Sequence, residues 1–176
     1  DKTGYYGKLS KKELIKRLGS WSPIVRERAV KAFGIEKMGL DVISELINLL
    51  ESPNVYARMG ACMALGERKV ASAVDPIRKC LKHEHMWLRV KAAEALAEIG
   101  KPAMAALPEL LEMALKGPSK EDPRAMEQRY LNFALFDKML RHALDGVDRG
   151  LLNIAIIPGL KNADGRSRGS IRTIYK

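Results

Sequence analysis

Residues 25–34 read Val-Arg-Glu-Arg-Ala-Val-Lys-Ala-Phe-Gly, and the same pattern returns twice further along the chain. It recurs as Ala-Arg-Met-Gly-Ala-Cys-Met-Ala-Leu-Gly at 57–66 and as Leu-Arg-Val-Lys-Ala-Ala-Glu-Ala-Leu-Ala at 88–97. The arginines at the second position are 32 and then 31 residues apart, and alanines recur at the fifth and eighth positions. Self-similarity at this period predicts a stacked array of helical repeats.

The sequence around each copy predicts helix pairs. Ser10 and Glu13 have the spacing of a capping box at the start of a helix, and Val42, Ile43 and Leu46 follow helical spacing in a partner helix. We therefore predict an all-α, right-handed α-solenoid of about four to five helix pairs.

Three segments follow from this pattern. Residues 1–7 lack periodicity and are expected to be a flexible lead, and residues 8–117 hold the regular repeats. Residues 118–176 are expected to hold an irregular fourth repeat and the first helix of a truncated fifth. Because a solenoid normally ends in capping repeats, half-units at both ends are expected either in a fragment of a longer array or in an array that something else caps.

The net charge of +10 is concentrated at the two ends of the 176-residue chain. Residues 1–19 carry six Lys/Arg against two acids, residues 161–176 carry five against one, and the rest carries 20 against 18. A groove that follows nucleic-acid phosphates would need basic residues in every repeat. Nucleic acid is therefore a disfavoured partner, although it stays open as an alternative.

The sequence offers no motif for catalysis, a metal or a cofactor. The pair His83-Glu84 occurs once, in a turn, whereas an iron site would need several converging pairs. Cys62 and Cys80 are interpreted as buried apolar residues, with a disulfide between paired helices as the alternative. No apolar run approaches the roughly 20 residues of a membrane helix. We expect a protein that is not an enzyme, has no cofactor and does not insert into a membrane.

The repeated arginines are interpreted as a structural ladder. Arg26, Arg58 and Arg89 share one slot, and Arg168 fits the same slot near the end of the chain. An arginine fork suits bidentate bonds to turn carbonyls or carboxylates, and Asp41 and Asp75 are candidate partners. The alternative is a basic binding stripe.

The candidate binding surface combines aromatic and basic residues. Tyr56 and Trp87 begin successive first helices at positions equivalent to Ile24, where they act either as binding anchors or as covers of the seam between repeats. The second helices usually line the concave face of a superhelix, and their exposed charges are of mixed sign, which suits a polypeptide ligand. The basic candidates on these helices are Lys12, Lys16, Arg78, Lys79 and Lys82.

The Val-Arg-x-x-Ala-x-x-Ala-Phe/Leu-Gly helices and the partner stretch 106–111 resemble HEAT repeats, of the variety also found in phycobilin lyases, over residues 8–117. The stretches 126–136, 146–152 and 159–169 resemble the HEAT region of large uncharacterised bacterial proteins, many of which look exported. This resemblance implies a domain of a multi-domain bacterial protein, exported if the likeness holds and otherwise cytoplasmic.

The expected function is a non-catalytic protein-interaction or structural scaffold that binds through its concave second-helix face. The partner would be a protein or peptide, or another domain of the parent chain. The alternatives are a nucleic-acid-binding HEAT domain, including the DNA-glycosylase type, and an accessory to a bilin-lyase-type enzyme.

Overall fold

The computed structural model describes residues 4–33 and 39–110, and helices connected by turns make up these two ranges, without a strand. The predicted all-α solenoid is confirmed. The helices in chain order are α1 (Gly4–Gly7), α2 (Lys11–Leu18), α3 (Pro23–Ala32), α4 (Leu40–Leu49), α5 (Val55–Glu67), α6 (Val74–Cys80) and α7 (Met86–Ile99). Short 3₁₀ segments cover Ala71–Ala73 and Lys101–Ala106.

The second and third copies of the ten-residue pattern lie within the first helices α5 and α7, and residues 25–32 of the first copy lie in the first helix α3. Helices α4 and α6 follow α3 and α5 as their second helices. The expected irregular fourth repeat, the truncated fifth repeat and Arg168 lie outside the described residues.

Local capping sets where these helices begin and end. The Ser10–Glu13 capping box is present: the Ser10 hydroxyl accepts from the Glu13 amide, and the Glu13 carboxylate accepts from the Ser10 amide at 3.0 Å. Asn54 caps α5 by accepting from the Tyr56 amide at 2.9 Å, and its side-chain amide donates to the Gly19 carbonyl at 3.1 Å. One asparagine thus joins the start of α5 to the end of α2.

The structure describes residues 4–7 of the N-terminal lead, and the flexibility of residues 1–7 stays a prediction. Residues Gly4–Gly7 form a turn of helix in which Tyr6 is buried. The Arg17 guanidinium lies 5.5 Å from the Tyr5 ring centre and 5.2 Å from that of Tyr6, and it donates to the Tyr5 hydroxyl. Periodicity did not indicate this turn, because its contacts are those of Arg17 with two tyrosine rings and not those of a repeated apolar face.

Small residues allow neighbouring repeats to pack closely. A Cβ added to Gly66 in α5 would lie 2.6 Å from the Ala95 Cα in α7, and one added to Gly60 would lie 2.5 Å from the Leu18 carbonyl in α2. Ala61 and Ala92, at equivalent positions of the pattern, are fully buried. The alanines and glycines of the repeat therefore set the spacing between neighbouring repeats.

A second link between repeats comes from Arg68, just after α5. Its guanidinium donates to the Phe33 carbonyl at the end of α3. Because the last carbonyls of a helix lack partners within the helix, this bond supplies one from the next repeat.

We predict that Gly66→Ala destabilises the domain by about 1–3 kcal/mol, because the added methyl group would overlap the backbone of α7. Helix propensity alone would instead predict a gain of up to about 1 kcal/mol, so the sign of the change is diagnostic. Urea unfolding measures it. Gly7→Ala is the matched control, since nothing lies within 4 Å of its added Cβ. A Gly66→Ala variant as stable as the parent would contradict the close approach.

Candidate functional site: an aromatic groove across three first helices

A groove of about 500 Å³ crosses the starts of α3, α5 and α7. Its lining comes from these three first helices and from the turns that precede α3 and α7. The residues that line it are Trp21, Pro23, Arg26, Glu27, Tyr56, Met59, Met63, His85, Trp87, Lys91 and Glu94. The groove therefore draws on three successive repeats and cannot exist within one of them.

Three accessible aromatic side chains line the groove. Trp21 is 76% exposed, Tyr56 37% and Trp87 36%. Tyr56 and Trp87 occupy the equivalent positions that the sequence suggested as anchors or seam covers, and the structure brings them into one groove. In the first of the three repeats, Trp21 from the preceding turn lines the groove, while Ile24 is exposed outside its lining.

Methionines and acidic residues complete the lining. Met59 is buried and Met63 packs against the core. Glu27 lies 32 residues before Met59 and Glu94 lies 31 residues after Met63, so each acid shares a repeat position with a methionine. Sequence reasoning missed Glu27, Met59, Met63 and Glu94 as groove residues. Their spacing in the sequence could have indicated them, since they lie one and two helix turns after the positions of Ile24, Tyr56 and Trp87.

The repeated arginines bind backbone carbonyls in the turn that precedes their own helix. Arg26 Nη1 donates to Ser20 O at 2.6 Å, Arg58 Nε to Ser52 O at 2.5 Å and Arg89 Nη1 to His83 O at 2.7 Å. Each acceptor lies six residues upstream, and each arginine also reaches a neighbouring carbonyl of the same turn. All three therefore fasten a first helix to the chain arriving from the previous repeat.

Arg26 belongs to both the arginine series and the groove. It is 6% exposed, and its guanidinium lies 5.4 Å from the centre of the Tyr56 ring. Burial lowers the pKa of Arg26 below its ordinary value because the charged form loses hydration. Arg26 thus holds the turn that carries Trp21 and also covers one face of Tyr56.

The candidate carboxylate partners of these arginines pair with other residues. Asp41 lies 3.3 Å from Lys11 Nζ, and Asp75 lies 3.1 Å from Arg78 Nη1. Both acids belong to the first turns of second helices. Their ion pairs therefore form among the second helices, away from the carbonyls that the arginine series uses.

The candidate basic residues of the second helices fall into two groups. Arg78 forms an ion pair with Glu109, whose hydrogen bond raises the Arg78 pKa, and Lys79 lies 3.5 Å from the Glu51 carboxylate. Lys12, Lys16 and Lys82 are exposed. The structure thus brings Arg78 and Lys79 together with acids of neighbouring repeats, and it separates all five from the aromatic groove, which Tyr56 and Trp87 line.

Cys62 and Cys80 are buried free thiols in α5 and α6. Hydrogen bonding to Cys80, together with burial, raises the pKa of Cys62 well above its usual range. Within residues 4–33 and 39–110, no three His, Cys, Asp or Glu side chains are grouped so that they could hold a metal ion. The helices of the same ranges include none that is both long and apolar enough to span a bilayer.

Stacked helix pairs, a 31–32-residue period and an arginine bonded to each inter-repeat turn define an α-helical repeat protein. A family model of HEAT repeats matches residues 11–67 and 43–128, which together cover about two thirds of the chain. The chain belongs to the HEAT-repeat family. Repeats of this family are generally protein-interaction scaffolds and typically non-catalytic. Comparison with curated proteins gives no match.

We predict that Arg26→Ala lowers the free energy of unfolding by about 1–3 kcal/mol, because it leaves turn carbonyls without their donor and removes the packing on Tyr56. Arg28→Ala, an exposed position two residues along the same helix, should stay within about 0.5 kcal/mol of the parent. Thermal unfolding of both variants measures the difference. Equal stabilities would show that the bonds of Arg26 contribute nothing measurable.

Proposed function

We propose that this domain is a non-catalytic scaffold that binds a peptide segment of a partner protein, and that the aromatic groove holds that segment. The observation that carries the proposal is the presence of three accessible aromatic side chains in one groove of about 500 Å³. Aromatic residues dominate the energy of protein interfaces because each buries a large rigid area at little conformational cost.

The floor of the groove supports the same function. Met63, which is half-buried above the core, offers a flexible, polarizable side chain that adapts to partner groups of different shape, and the buried Met59 also contributes to the lining. The lining also holds polar groups that can fix a backbone, including His85, whose Nδ1 is buried with no hydrogen-bond partner among the described residues. A mainly apolar concavity with a few polar groups is the usual form of a binding site.

The second-helix face is the competing surface. Its ion pairs between Lys11 and Asp41, Lys79 and Glu51, and Arg78 and Glu109 occupy several of the charges that a partner would need. Exposed pairs of this kind contribute at most about 1 kcal/mol each. Because these charges already have intrachain partners, we favour the groove over the concave second-helix face.

The roles of a nucleic-acid binder and of a bilin-lyase accessory receive less support. Pairing of Arg78 and Lys79 with acids reduces the positive potential along the second helices, and a bilin-lyase role rests on the repeat subtype alone. Membership of a larger bacterial protein also stays a proposal, and so do the domain boundaries at residues 7 and 117.

A displayed library of random peptides selected on the intact chain tests the groove. For the tightest selected peptide, we expect Trp21→Ala together with Trp87→Ala to weaken binding by at least about 10-fold, because a buried anchor carries more than about 1.4 kcal/mol. Fluorescence anisotropy of the labelled peptide measures Kd.

The matched control replaces Lys12, Lys16 and Lys82 with alanine on the second-helix face. This variant should bind within about 2-fold of the parent, since exposed charges contribute little. Loss of binding in the lysine variant with retention in the tryptophan variant would assign binding to the second-helix face and overturn the groove.

Titration of labelled duplex and single-stranded DNA and RNA at two salt concentrations tests the alternative. We expect weak or absent binding, because the repeat body carries nearly balanced charges. Sub-micromolar binding that weakens steeply with salt would instead make nucleic acid the leading partner.

A further inference from the structure

We propose that the groove selects a partner segment through a positively charged side chain, an arginine guanidinium or a lysine ammonium, held between the tryptophan rings and Glu27. This inference rests on the proposed function and adds the chemistry of the partner. It follows from the ring faces, from the charges that line the groove and from the way in which this chain places its own guanidinium groups.

The aromatic rings favour a cation. The face of an indole or phenol ring carries partial negative charge, and tryptophan attracts cations most strongly. The chain uses this attraction itself: Arg26 lies over Tyr56 within the groove, and Arg17 lies over Tyr5 and Tyr6 at the N-terminus. Arg26 already lies over the Tyr56 ring, and Trp21, which is 76% exposed, gives a partner the largest accessible aromatic surface of the groove.

The two positive charges of the lining are engaged within the chain. Lys91 Nζ lies 2.7 Å from the Glu94 carboxylate. Arg26 is buried, and its Nη1 donates to the carbonyls of Ser20 and Trp21, whereas its Nε has no hydrogen-bond partner among the described residues. Lys91 is thus paired with an acid of the same lining, and the Arg26 guanidinium is almost inaccessible to a partner.

Glu27 presents its carboxylate from the exposed side of α3. It is an exposed residue of the groove lining, whereas Glu94 is half-buried against Lys91. The lining holds two acids and two cations, but Glu94 is paired with Lys91 and Arg26 is buried, so the Glu27 carboxylate is the exposed charge of the groove and, together with the ring faces, attracts a cation. Complementarity of charge thus selects a basic side chain over an acidic one, and Glu27 distinguishes a basic side chain from a neutral apolar one.

The chain carries a built-in reporter of this site. It contains two tryptophans, Trp21 and Trp87, and both line the groove. Intrinsic tryptophan fluorescence therefore reports groove occupancy on the intact, unlabelled chain. Each tryptophan can be replaced in turn while the other still gives a signal.

The experiment titrates short glycine–serine peptides that differ only at a central residue: arginine, its neutral isostere citrulline, or leucine. We expect the arginine peptide to bind about 5- to 30-fold more tightly than the citrulline peptide, the range that a partly desolvated cation–π contact provides. The preference should shrink in Glu27→Gln and in Trp21→Ala. It should be unchanged in Glu45→Gln, which removes an exposed acid from α4 outside the groove.

Three results overturn the inference in distinguishable ways. If the leucine or citrulline peptide binds at least as tightly as the arginine peptide, selection by charge fails but the groove remains a peptide site. An arginine preference unchanged by both Glu27→Gln and Trp21→Ala would place the cation elsewhere. No fluorescence response to any peptide up to about 10 mM, where even contacts worth roughly 3 kcal/mol are visible, would overturn the groove itself.

Discussion

The close approach of α5 to the repeats on both of its sides is the constraint on which the rest of this structure depends. Gly66 of α5 lies against Ala95 of α7, and Gly60 of α5 lies against Leu18 of α2, at distances that no larger residue could tolerate without movement. Because α5 packs so closely on both sides, the side chains at the starts of α3, α5 and α7 come within reach of one another across three repeats. The groove is a product of that spacing, since wider stacking would separate Trp21, Tyr56 and Trp87 into isolated surface residues.

The arginine series and the aromatic residues of the groove both lie in the first turns of the first helices. Each arginine reaches six residues back to the turn that delivers its helix, and the aromatic residues lie two positions before Arg58 and Arg89. Arg26 belongs to both groups, because its guanidinium binds the turn that carries Trp21 and lies over the Tyr56 ring of the next repeat. The contacts that join these two repeats therefore also position the two rings.

Much of the fold could be predicted from the sequence, and little of the site. The repeat period is visible directly in the sequence. Small residues and caps act within one or two helix turns, so residues such as Ser10, Glu13 and Ala61 indicate their roles locally. The groove depends instead on which side chains of separate repeats face one another. Equivalence along the chain pairs Ile24 with Tyr56 and Trp87, yet Trp21 from the turn lines the groove. Likewise Asp41 and Asp75 have the right chemistry for arginine, but the orientation of the second helices gives them Lys11 and Arg78.

The two layers of the array differ in the contacts that they add to the shared core. First helices meet through buried alanine and leucine side chains and through the close approach at Gly66, whereas the second helices bury residues such as Leu46 and Ile77 and also form ion pairs at the surface, such as Lys11–Asp41 and Lys79–Glu51. Dissolved salt screens exposed pairs and leaves apolar contacts almost untouched. Added salt should therefore weaken the ion pairs among the second helices and leave the apolar contacts of both layers, and with them the shape of the groove, almost unchanged.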